Sequence, residues 1–300
     1  MKKITALLLA MLMVFSLCAC GSNTDDKDTG DDSTAKDYSS MTLDELKAEI
    51  TTVEEGKLTV ATSPDFAPYE FYVADDDGEY EIVGFDMALA ELIADKLGLE
   101  LEVVPMDFDG TINELGSKKV DLGMAGYSPD PDREGLMNFS TIYYTGGQSF
   151  VCTKATADKF PSLEAANNAD YTIGAQIGSI QADLAKENTP DANIVEMAKV
   201  TDIVADMLAG KMDGAFIETA VAETYAKNYP DLQVIHDVPY DKEGSVVGVN
   251  KDNDALLAAV NLIIEEAIAD GTIDQYVADA NELASGEHFI LSEGKIVADD

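Results

Sequence analysis

The sequence has almost no arginine. It carries 19 basic residues against 58 acidic ones, and every basic residue except Arg133 is lysine. The formal net charge of −39 excludes nucleic acid as a partner, and an anionic membrane surface as one contacted directly, because like charges repel. Histidine is scarce too. His236 and His288 are far apart, and neither has a cysteine or histidine at metal-ligand spacing, so no zinc motif is present. The run Asp75-Asp76-Asp77-Gly78 lacks the alternating ligands and terminal glutamate of a calcium loop and reads as a hairpin turn. No metal or other cofactor is expected. The apolar run over residues 4–17 falls short of the ~20 residues that span a membrane.

What is there begins with a secretion signal. Met1-Lys2-Lys3 precedes the apolar run, which ends in Leu17-Cys18-Ala19-Cys20. That ending resembles a bacterial lipoprotein processing site, which implies removal of residues 1–19 and a lipid on the Cys20 sulfur. Cleavage before Cys18 would put Leu17 at the broken bond. Once the signal is gone only Cys20 and Cys152 remain, and lipid on Cys20 leaves no disulfide pair. Cys152, in Phe150-Val151-Cys152, reads as a small core residue. Residues 20–41, rich in Asp, Ser, Thr, Gly and Lys, have no apolar periodicity before residue 41 and read as a disordered tether. The expected location is the extracytoplasmic face of the cell membrane, held by lipid.

Elements then alternate. Thr42 and Glu45 make a capping box for a helix over 42–55. Strands are expected at 58–61, 99–104 and 120–125, with helices at 86–97, Asp86 near its cap, and 110–117 between them. This is the order of a parallel sheet with right-handed crossovers. A second unit repeats it, with strands at 172–175, 193–196, 212–217 and 232–235 and helices at 179–187, 203–209 and 220–227. Glycine-bearing extended stretches at 144–151 and 243–249 suit a two-strand hinge, and helices follow at 254–269 and from 271. The length exceeds what one core needs, so two lobes are expected.

Arg133 lies just after the strand of Val120, Leu122 and Met124 and the small-residue turn of Ala125, Gly126 and Ser128. A guanidinium is the group that grips a carboxylate or phosphate through two parallel bonds, and the carboxyl ends of strands are where open α/β sheets bind ligands. The other reading is a surface ion pair with Asp130, Asp132 or Glu134.

The runs TSPDFAPYEF, GFDMALAELIADKLG, PMDFDGTINEL, KKVDLGMAGYSPDPDRE, IGAQIGSIQADLAKE and KMDGAFIE, in this order, resemble the amino-acid-binding proteins of ABC importers, the extracellular solute-binding family 3. The likeness covers nearly everything from 58 to 277. It implies a type II periplasmic-binding-protein-like α/β fold, with parallel-sheet lobes joined by two extended crossovers. Lobe 1 would take residues 42–148 and 248–285, lobe 2 residues 149–247, and 286–300 would be a tail. The resemblance puts Arg133 on the ligand α-carboxylate, supported by Ser128 and by the Ile180 amide after Ser179. It puts Glu218 on the α-ammonium, Phe66 and Phe108 over the ligand, and Ser63 and Gln181 where the side chain is read. Ala125 and Gly126 stand where serines are common. Two local readings stay open: Glu218 as a cap of the following helix, and the two phenylalanines as core. Glu70, Asp107 and Tyr127 are expected in solvent or behind the ligand contacts.

The implied function is capture of a free amino acid, polar and leaning to uncharged because Ser63 replaces a frequent acid, with delivery to an ABC permease. No catalysis is expected. The alternative is a secreted cyclohexadienyl-dehydratase-like enzyme on the same fold, with Glu218 as its acid or base.

Overall fold

The computed structural model describes residues 36–74, 80–241 and 244–285. The expected signal, Cys20, most of the expected tether, the Asp77-Gly78 turn and the 286–300 tail lie outside the described residues. The described residues from Asp37 to Ser285 belong to one compact unit.

Helix α1 (Leu43–Lys47) has the expected capping box, with the Thr42 amide donating to Glu45 at 2.8 Å. It ends well before residue 55. Thr51, Thr52 and Val53 are β-branched and poor helix formers. Their backbone bonds outward instead: Asn253 donates to the Thr51 carbonyl, and the Val53 amide donates to Asp121.

Strand β1 (Lys57–Thr62) leads to β2 (Asp65–Phe66), β3 (Glu70–Ala74) and β4 (Tyr80–Val83), the last three forming a small antiparallel sheet. Then come α2 (Phe85–Leu97), β5 (Glu100–Pro105), α3 (Phe108–Gly116), β6 (Leu122–Gly123) and β7 (Met137–Phe139). The first large sheet has the order β5-β1-β6-β13-β7, where β13 is Gly248–Asn250. The second half supplies β8 (Gln148–Thr153), β9 (Thr172–Gln176), α4 (Ile180–Asn188), β10 (Asn193–Met197), α5 (Val200–Leu208), β11 (Gly214–Glu218), α6 (Thr219–Asn228) and β12 (Leu232–Asp237). Its sheet has the order β10-β9-β11-β8-β12.

Both lobes are therefore α/β as expected, but their sheets are mixed rather than parallel. β5 and β6 pair with β1 in parallel, while β13 runs antiparallel to β6 and β7. In the second sheet β8 runs antiparallel to β11 and β12. The cause is the two crossing segments. Each delivers the chain to the other lobe from the cleft side, so its strand enters its sheet from the opposite end. An isolated antiparallel bridge, Tyr144 to Ser245, ties the crossings together.

Other boundaries move. Helix α2 is capped by Gly84, and Asp86 is not a cap but is buried inside its first turn. Helix α3 starts at Phe108, and β6 is two residues long because the chain turns away at Gly126, whose φ is +59°. Helix α7 (Asp254–Ala269) has its expected bounds and packs Leu256, Val260, Ile263 and Ile264 into one cluster with Leu46, Leu89 and Ile93. Each such side chain contributes about 1.5–3 kcal/mol. Helix α8 (Thr272–Leu283) lies against α2. Among the described residues no helix is long and apolar enough to cross a membrane.

Candidate functional site

In each large sheet the chain leaves a central strand, visits one neighbour, and returns on the other side. In the first sheet that strand is β1, flanked by β5 and β6. In the second it is β9, flanked by β10 and β11. Crevices form where the strand order reverses, at the carboxyl ends of the strands. The sequence-predicted residues stand at those ends. Ser63 and Phe66 follow β1, and Ala125, Gly126 and Ser128 follow β6. Ser179 and Ile180 follow β9, and Glu218 ends β11.

Arg133 lies in a single 3-10 turn, Pro131–Arg133, whose cap Asp130 accepts from the Asp132 amide at 3.1 Å. The guanidinium is buried rather than on the surface, with the residue 7% exposed. Its Nη2 donates across the cleft to the Gly178 carbonyl at 2.8 Å. Its Nε stands 3.8 Å from Asp130, so the expected ion pair exists but is loose. Its centre lies 5.5 Å from the Phe108 ring. No protein group reaches Nη1. Burial lowers the pKa, opposed by Asp130, Tyr127 and Asp183, and an arginine so placed stays charged at neutral pH.

The helix-cap reading of Glu218 holds. Oε2 caps α6 by accepting from the Val221 amide at 2.9 Å, while Oε1 is buried without a hydrogen-bond partner. The backbone opposite is Gly146, where a Cβ would sit 2.2 Å from Oε1 and 3.2 Å from the Tyr69 hydroxyl. Burial pushes the Glu218 pKa up to about 7, against the Val221, Gly147 and Ala220 amides and the Tyr69 hydroxyl, which pull it down.

Phe66 packs on Tyr69 with ring centroids 5.3 Å apart, and it lies over Gly126, where a Cβ would approach its ring to 2.8 Å. Gly126 thus needs both its positive φ and its bare face. Phe108 meets Tyr127 edge-on at 5.7 Å and belongs to a core cluster that also holds Ala125. Ala125 is 1% exposed, so it offers the cleft no more than backbone. Ser128 is buried beside this turn.

Three predicted polar side chains are spent within the protein. The Ser63 hydroxyl donates to Asp65 at 2.8 Å. The Ser179 hydroxyl donates to the Gln176 carbonyl and caps α4 by accepting from Ala182. Gln181 donates to Gln148 at 2.8 Å. What α4 presents at Ile180 is its first turn, whose N–H groups have no partner inside a helix.

Behind the site, Asp86 accepts from the Gly126 amide at 3.0 Å and from the Tyr143 hydroxyl at 2.5 Å, which fixes the β6 turn. Burial lifts its pKa to about 6, with those two donors and Glu70 pulling the other way. Glu70 is fully buried, not in solvent. No N–H or O–H reaches either of its oxygens, and burial and the neighbouring Asp86 hold its pKa well above the usual range. Tyr127 is also buried and donates to Thr111. Asp107 is exposed and precedes α3.

Sequence reasoning missed Asp65, Gln176 and Gln148, which join the lobes or line their seam. The signal for Asp65 was its place between Pro64 and Pro68 in a rigid loop. Among the described residues no His/Cys/Asp/Glu group could hold a metal ion.

Two lobes with opposed buried charges at facing switch points define a two-lobed binding protein. The family model of the bacterial extracellular solute-binding proteins, family 3, matches residues 58–279. The chain belongs to that family. It is similar to the arginine-binding extracellular protein ArtP of Bacillus subtilis, 33% identical over 279 residues, which is 92% of this chain and 96% of ArtP. Its structure resembles the amino-acid ABC transporter substrate-binding protein AbpA from Streptococcus pneumoniae, solved with L-arginine. There the TM-score is 0.74 at 32% identity, over 81% of this chain and 99% of that one. It also resembles the ancestral amino-acid-binding protein AncCDT-1, a precursor of cyclohexadienyl dehydratase. The TM-score is 0.67 at 32% identity, over 80% of this chain and 99% of that one. The chain is a binding protein, not an enzyme.

Proposed function

We propose that the cleft captures one free amino acid with a long polar side chain, L-arginine before others. The chain is the amino-acid-binding component of an ABC import system and closes around a small polar ligand. One observation carries the ligand reading. Two oppositely charged groups are buried at the facing switch points, and each has one atom without a protein partner, Nη1 of Arg133 and Oε1 of Glu218. A zwitterion supplies the missing partner to both.

In this reading Arg133 forks the α-carboxylate with help from Ser128 and the Ile180 amide. Glu218 receives the α-ammonium. Phe66 and Phe108 cover the side chain, and Ser63, Ser179, Gln181, Ala125 and Gly126 shape the wall. Charge-assisted bonds contribute about 1.5–3 kcal/mol each. Three or four of them, less the ordering cost, correspond to a micromolar Kd, about −8 kcal/mol.

L-Arginine stands first because ArtP and AbpA carry it in name or in structure, and because a net charge of −39 steers a cation inward. L-Glutamine is the second reading, favoured by Ser63, whose hydroxyl leaves no free acid at that position. Lobe 1 (42–148 and 248–285) and lobe 2 (149–247) would part and close about the two crossings. A lipid on Cys20, after removal of residues 1–19, would hold the protein at the extracytoplasmic membrane face, where the closed form meets its permease. The test is a thermal-shift screen of the twenty amino acids and cystine, followed by calorimetry. L-Arginine should raise the melting temperature most, and no shift with any amino acid would refute the reading.

A further inference from the structure

Asp65 sits in β2, on the first lobe, and is buried. Its Oδ1 accepts from the Ser63 hydroxyl on its own lobe. Its Oδ2 reaches the other lobe, where it accepts from the Val200 amide at 2.5 Å and from the Gln176 amide group at 3.4 Å. Its backbone carbonyl accepts from the Tyr225 hydroxyl at 2.9 Å. All three donors belong to elements of the second sheet and its helices. Val200 is the first residue of α5, and the preceding residue, Lys199, makes no side-chain cap. A helix start carries N–H groups with no internal partner, and an acidic oxygen is the usual acceptor. Here that acceptor comes from across the cleft.

We infer that Asp65 is the closure latch, a carboxylate on lobe 1 that caps helix α5 of lobe 2 and so exists as a cap only while the cleft is shut. The inference rests on the proposed cleft closure, but Asp65 is none of the residues assigned to the ligand. Arg133 also crosses the cleft, to Gly178, yet it serves the ligand as well. Asp65 contributes to affinity by holding the lobes together. Its removal speeds ligand escape and leaves ligand entry alone, because the latch forms after docking.

The experiment measures L-arginine association and dissociation by stopped-flow tyrosine fluorescence on the full chain. Three variants are compared: Asp65→Ala, Val200→Pro, and the two together. Proline is tolerated at the first helical position. Lys199 is extended, with φ −121° and ψ 136°, as a residue before proline must be. Val200→Pro therefore deletes the donor and keeps the helix. Each single variant should dissociate about 10- to 100-fold faster, the range one charge-assisted hydrogen bond corresponds to, with association within about threefold of wild type. The double variant should be no faster than Asp65→Ala alone, because the Val200 bond is already absent there. Asp65→Asn, which keeps an acceptor oxygen, should recover part of the loss.

Unchanged dissociation in both single variants overturns the latch, and so do factors that multiply in the double variant. If wild type shows no L-arginine signal, the ligand assignment is at fault, and the latch is judged on the free protein. Pulsed electron resonance between labels at the exposed Ser117 and Glu187 should then show a short-separation population that Asp65→Ala depletes. An unaltered distribution overturns the inference.

Discussion

Replacing Arg133 by lysine keeps the charge and removes the fork. In the structure Nη2 holds the Gly178 carbonyl at 2.8 Å, and Nη1 is left for a ligand carboxylate. A lysine ammonium is a single centre on a flexible stem and cannot serve both. Loss of one charge-assisted bond removes about 1.5–3 kcal/mol, and an unpaired buried carbonyl costs about 1–3 kcal/mol more. The sum, about 2.5–6 kcal/mol, is roughly two to four decades in Kd. Calorimetry with L-arginine measures it, with thermal unfolding as the check that the variant is folded. A folded Arg133→Lys protein that binds within threefold of wild type would refute the fork argument and, with it, the assignment of the carboxylate end.

Glu218→Gln should weaken L-arginine binding roughly 10- to 100-fold by removing one charge-assisted bond, and calorimetry checks this. The melting temperature should not fall, since the amide oxygen still caps α6 and a buried charge is gone. Binding should also release a proton near pH 6. The Glu218 pKa stands at about 7 without a ligand ammonium, and the ligand favours the ionised form. Titrations in buffers of different ionisation enthalpy should show the release at pH 6 and none at pH 8.5. Gly146→Ala puts a methyl 2.2 Å from Oε1, so it should abolish measurable binding while both lobes stay folded by circular dichroism. For stability, Asp65, Asp86 and Glu218 have folded pKa values raised to about 6, 6 and 7. A raised carboxyl contributes most below its unfolded value and loses that contribution as pH rises through the folded one. The ligand-free protein should therefore melt higher at pH 5 than at pH 8 by scanning calorimetry, and the opposite order would contradict the burial of these groups.

The fold was legible where a local signal and its tertiary use agree. The Thr42–Glu45 box, the end of α2 at Leu97 and the bounds of α7 each appear where the pattern put them. It was illegible where a residue's partner lies far along the chain. Asp86 has the look of a helix cap, yet it serves Gly126 and Tyr143, 40 and 57 residues away. The antiparallel strands follow from the crossings, which periodicity cannot see. At the site, the family resemblance singled out Arg133 and Glu218, and both are buried. Neither residue type nor resemblance told which hydroxyls and amides would already be engaged: Ser63 and Ser179 bond to groups two and three residues away, and Gln181 to Gln148, 33 residues back. Asp65 escaped notice for a different reason, its donors lying 111 and 135 residues on.

Strand β13 sits between β6 and β7, inside the first sheet and not at its rim. During synthesis or export, residues up to 139 can lay down four of that sheet's five strands but not β13, which arrives more than a hundred residues later. The second sheet draws every strand from the unbroken run of 148–237 and waits for nothing. The later-made half can thus mature ahead of the earlier-made half, whose gap stays open as a docking slot for its own distal segment. Long-range closure of this kind slows folding and leaves strand edges bare in the interval. A chain cut before Gly248 would keep the second sheet whole and leave the first split in two.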